Sequence, residues 1–97
     1  MAVVEIVTFR LGPGADEESF VAADRRVQTG FMYRRPGLLR RTTARGDGGD
    51  WLVVAVWDSV ENAEATEEAS RGDAAVAAFS GFVDPPTVRI GRYRTLE

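Results

Sequence analysis

The chain has 97 residues, enough for one hydrophobic core, and its 44 % hydrophobic and 28 % charged content is that of a globular domain, not a disordered tract. It contains no Cys and no His, and its basic residues are all Arg. Disulfides, thiolate or imidazole chemistry, Cys- or His-held metals and haem, and lysine Schiff bases are therefore excluded. A net charge of −3 argues against nucleic acid or an anionic membrane as partner.

"AVVEIVTFRL" (2–11) alternates and is rich in β-branched residues, which predicts a first strand. Gly12-Pro13-Gly14 ends it, and Asp16, Glu17 and Glu18 mark the positive end of a helix whose apolar face is Phe20, Ala23, Val27 and Phe31. Pro36-Gly37 is a break. "LLRRTTAR" (38–45), the "GDGGD" turn and residues 51–58 then predict a hairpin. Asp58 or Ser59 is placed to cap a second helix, with Glu61 or Asn62 as the reciprocal partner. That helix should run to about Ser70, break at Gly72, resume at Asp73 through "AAVAAFSGFV" and stop at Asp84-Pro85-Pro86. "TVRIGRYRTL" (87–96) is the predicted last strand. No leader and no run of about 20 apolar residues is visible, so the expected location is cytoplasmic with no membrane partner. The Arg-, Ala- and Val-rich usage without Lys fits a GC-rich bacterial genome.

The order strand, helix, strand, strand, helix, strand predicts a single ferredoxin-like α+β domain over residues 1–97, a four-stranded antiparallel sheet with the first and third strands in the middle. Those two strands are apolar on both faces: Val3, Val7 and Phe9 against Val4 and Ile6, and Trp51, Val53, Ala55 and Trp57 against Leu52, Val54 and Val56. The arginines fall on the edge strands, where charge discourages unwanted pairing. Right-handed crossovers put both helices on one side of the sheet. The other apolar face needs a cover, and a second copy packed sheet on sheet predicts a homodimer.

Trp57 and Ser59 in "VAVWDSVENAEA", at the step from third strand to second helix, and Pro36-Gly37 entering the second strand together resemble the antibiotic biosynthesis monooxygenase (ABM) family. The resemblance implies a dimeric α+β barrel and a small-molecule enzyme. Members that oxygenate aromatic or polyketide-like substrates work without metal or flavin, so no cofactor is expected; cyclases and isomerases share the superfamily. Haem-degrading relatives carry an Asn in the first strand and a Trp and a His in the second helical region. This chain has no Asn before position 62, Thr66 near the expected Trp and "VAAF" near the expected His, so haem is not expected.

Glu5 is the candidate catalytic residue. It interrupts an apolar middle strand on the face of Val3, Val7 and Phe9, where it would serve as a general base; paired with Arg89 or Arg92 it would be structural instead. Trp57, Asn62, Tyr33, Tyr93 and Arg89 are candidate pocket residues for a small aromatic ligand, through stacking, positioning of a carbonyl or oxygen, phenolate binding and anion stabilisation. Each has a plainer role: packing for Trp57, capping for Asn62, a rim position for the tyrosines. The alternative function is a non-catalytic barrel that binds a small ligand or serves a structural or stress-associated role. An RNA-binding sheet would need a basic, aromatic signature that "DWLVVAVW" lacks.

Overall fold

The computed structural model describes residues 1–97. Four strands, β1 (Val3–Arg10), β2 (Leu38–Arg45), β3 (Asp50–Trp57) and β4 (Arg89–Arg94), form one antiparallel sheet in the order β2-β3-β1-β4. Helices α1 (Glu17–Gly30), α2 (Val60–Ser70) and α3 (Ala74–Ser80) complete the predicted ferredoxin-like α+β pattern. No helix is long and apolar enough to cross a membrane.

Local chemistry explains where most elements begin. Asp16 caps α1 by accepting from the Ser19 N–H at 3.0 Å, and Glu17 and Glu18 stand in its first turn. Ser59, in extended conformation, accepts from the Asn62 N–H and caps α2. Asp73 does the same for α3 through Val76, so the predicted break at Gly72 is where the helix divides.

Two boundaries differ from the sequence reading. The helix predicted through Val83 ends at Ser80, with Gly81 at its C-cap. The chain from Phe82 to Asp84 instead pairs with the end of β1: Gly12 donates to the Phe82 carbonyl, Val83 bridges Leu11, and Asp84 donates to the Arg10 carbonyl. β4 starts at Arg89 because Pro85–Thr87 forms a 3-10 turn, held by Thr87, whose hydroxyl accepts from the Arg10 N–H.

All three helices lie against one face. Two hydrophobic clusters fill that layer, one around Phe9, Phe20 and Trp51, the other around Val3, Val27, Phe31, Ala55, Trp57 and Ala63. Phe20 and Trp51 meet edge to face at 4.9 Å. On the opposite face the register aligns Val56 with Val4, Val54 with Ile6 and Leu52 with Thr8. Val4, Ile6, Leu52, Val54 and Val56 are only half-buried there, covered by no element of this chain.

Candidate functional site

The odd residues of β1 and β3 face the helices, and the register extends their rows to the edge strands. One row crosses all four strands as Arg41, Ala55, Glu5 and Arg92. The small Ala55 leaves room above this row, and a cavity of about 300 Å³ opens between sheet and helices. Its walls are mainly apolar, including Val7, Val53, Phe31 and Phe79, while Glu5, Arg41, Arg92, Thr66, Glu67 and Ser70 bring polar atoms to it. A small-molecule site has this character: a concave apolar surface with a few placed polar groups.

Glu5 is fixed from two sides. Trp57, fully buried at the end of β3, donates its indole N–H to Glu5 Oε1 at 2.9 Å. Arg92 donates from Nε and Nη2 to Oε2 at 3.1 and 2.7 Å. The carboxylate thus keeps one acceptor direction on Oε1 beyond these bonds. Arg92 is also 3.5 Å from Glu67 and 4.0 Å from Glu64. Its guanidinium is held charged more firmly than usual, first by the hydrogen bonds it donates to Glu5, against partial desolvation, and then by the charges of Glu5, Glu67 and Glu64.

Trp57 and Glu5 are therefore brought together in the cavity wall. The other predicted pocket residues are not. Asn62 donates its side-chain N–H to Asp58 Oδ1 at 2.8 Å. Asp58 in turn donates its backbone N–H to the Gly37 carbonyl at 2.9 Å. Gly37 has φ +82°, and a Cβ there would collide with Asp58 and Asn62. Asn62 thus locks the Pro36-Gly37 bend onto the strand–helix step. Tyr33 lies exposed in the 3-10 turn Met32–Arg34. Tyr93 lies exposed on the uncovered face of the sheet, its ring over Gly91. Arg89 donates to the carbonyls of Pro86 and Val88 and lies outside the cavity.

Arg41, Thr66 and Glu67 line the cavity and were not singled out from the sequence as pocket residues. A bulge between Leu38 and Arg40 shifts the alternation of β2, so Arg41 reaches the helix-covered face out of step with Leu38, where period-two counting would have put Arg40. Helical spacing groups Ala63, Thr66, Glu67 and Ser70 on one face of α2, a signal available in the sequence.

No family model and no curated protein sequence matches the chain. The fold is nevertheless well represented among solved structures. A mutant of SnoaB, a cofactor-independent oxygenase from Streptomyces nogalater, superimposes with a TM-score of 0.81 at 17 % identity over 99 % of this chain and 94 % of that one. A provisionally named antibiotic biosynthesis monooxygenase from Bordetella bronchiseptica gives 0.80 at 14 % identity, over 99 % and 98 % of the two chains. Another so named, from Chloroflexus aurantiacus, gives 0.76 at 18 % identity, over 100 % and 95 %. The likeness to ABM proteins read from Trp57, Ser59 and Pro36-Gly37 is borne out at the level of the fold.

Proposed function

We propose that the protein is a small-molecule enzyme of the ABM type, oxidising an electron-rich aromatic or polyketide-like substrate with molecular oxygen and no cofactor. The observation that carries this reading is a carboxylate, Glu5, held by Trp57 and Arg92 on the floor of a largely apolar cavity. Glu5 Oε1 accepts the proton of a bound phenol, and the resulting phenolate gives electrons to oxygen directly, one oxygen atom entering the product and the other leaving as water. Arg92 offsets the negative charge that develops beside it. The fold shared with SnoaB, itself a cofactor-independent oxygenase, supports the same class.

Oxygen uptake on a panel of polycyclic phenols tests it. The expected result is turnover above the buffer rate for at least one phenol, abolished in Glu5→Gln. A second reading, ligand binding without chemistry, is favoured by the ion pair that engages Glu5; it predicts binding without uptake.

The functional unit is proposed to be a homodimer joined through the face of Val4, Ile6, Leu52, Val54 and Val56. Light scattering should give twice the 10.6 kDa chain mass, and Val54→Arg should give the single mass. A wild-type monomer at micromolar concentration contradicts the dimer.

A further inference from the structure

Thr66 is buried, 6 % exposed in the middle of α2. A helical Ser or Thr ordinarily returns its hydroxyl to a carbonyl one turn back. Thr29 does so, donating to the Arg25 carbonyl at 2.9 Å, and Ser70 donates to the Glu67 carbonyl. The Thr66 hydroxyl forms no hydrogen bond with the protein, and yet it is not among the sealed-off polar atoms, of which Arg35 Nε is the single case. Thr66 lines the cavity. Its hydroxyl therefore opens onto that space, from the wall opposite Glu5.

An idle hydroxyl in an apolar layer costs stability, whereas Val would fill the same shape without that cost. The charge around the cavity narrows what would engage it. Arg41 is matched by Asp24, while Arg92 faces Glu5, Glu67 and Glu64 together. The cluster around Arg92 thus has an excess of negative charge and disfavours an anionic ligand.

We infer that Thr66 is a ligand-anchoring residue, donating its hydroxyl to an oxygen of a neutral, flat, hydroxyl-bearing aromatic ligand and so selecting uncharged phenols over aromatic carboxylates. The inference rests on the cavity being the binding site. Its test separates the two claims by using α-naphthol, α-naphthoate and naphthalene as calorimetric probes on the whole protein. Wild type should bind α-naphthol at least about tenfold more tightly than α-naphthoate. Thr66→Val should weaken α-naphthol about 5- to 10-fold, the worth of one neutral hydrogen bond, and leave naphthalene unchanged. Its melting temperature should be equal to wild type or higher, and Thr66→Ser should restore the affinity. Equal α-naphthol binding by wild type and Thr66→Val overturns the role of Thr66 while leaving the cavity reading intact. A parallel loss of naphthalene also overturns it, assigning Thr66 to cavity shape. Failure of all three probes to bind wild type overturns both claims.

Discussion

Two arginine–carboxylate pairs close the ends of the same row across the sheet, Arg41–Asp24 on the β2 side and Arg92–Glu5 on the β4 side. The first joins sheet to helix. Arg41 donates to Asp24 and to Gln28 of α1, Thr43 donates to the same Asp24 oxygen, and the guanidinium lies 5.9 Å from the Phe79 ring. The second joins neighbouring strands, and its carboxylate also takes the Trp57 N–H. Arg41 is 5 % exposed and Asp24 19 %, against 32 % for Arg92 and 20 % for Glu5. Similar chemistry in one row thus serves two ends: Arg41–Asp24 holds α1 to the sheet, and Arg92–Glu5 presents an acceptor to the cavity.

The largest expected effect comes from the residue that supports the cavity-side pair. Trp57→Ala should lose ~3–5 kcal/mol of stability in denaturant unfolding, since it empties a buried aromatic site and leaves Glu5 short of a donor. Unchanged stability with lost ligand binding would make Trp57 a binding group, not a packing one.

Next comes the helix–sheet pair. Asp24→Ala strands Arg41 in a buried position, and breaking such a pair should cost about 3 kcal/mol. A cost below about 1 kcal/mol, the range of exposed pairs, would erase the contrast between the two ends.

The smallest effect lies outside both pairs. The Asp16 carboxyl is held below its ordinary value of 3.8, first by the Ser19 hydroxyl and then by the Ser19 N–H, against slight desolvation. A depressed folded value contributes stability that is fully present above the ordinary carboxylate value and lost as pH falls through the lower folded one. Asp16→Ala should therefore lower the melting temperature slightly at neutral pH and flatten only the part of the profile below about pH 4. Unequal wild-type and variant slopes above pH 5 would point to a different origin.

Backbone-level features were legible in the residues. Alternation in β1 and β3 assigned the faces, the Gly-rich turn set the hairpin, and short polar residues before apolar runs located the caps. Period two put Glu5 on the face of Val3, Val7 and Phe9, but did not show that this is the face the helices cover. What stayed hidden depends on tertiary contact. The helix read on through Val83 because the partners of Phe82 and Val83, Gly12 and Leu11, lie about 70 residues away in the chain. Asn62 read more readily as a cap than as a site residue, but its tie to Asp58 beside Gly37 was not visible. Arg41 counted as an edge charge because strand position says nothing of acids on helices above, whereas Arg92 was legible as a partner of Glu5. Thr66 carries no local sign that its hydroxyl lacks a partner.

The contrast between the two pairs is tested most directly by measuring thermal unfolding and α-naphthol affinity on the same samples of Glu5→Gln and Asp24→Ala. Gln retains an acceptor for Trp57 or Arg92, so Glu5→Gln should keep its stability within about 1 kcal/mol and lose most of its affinity. Asp24→Ala should melt well below wild type, with affinity retained by the folded fraction. Unfolding of Glu5→Gln at the temperature of Asp24→Ala, with α-naphthol affinity intact wherever it is folded, would make Glu5 a second fastener and contradict its place in the site.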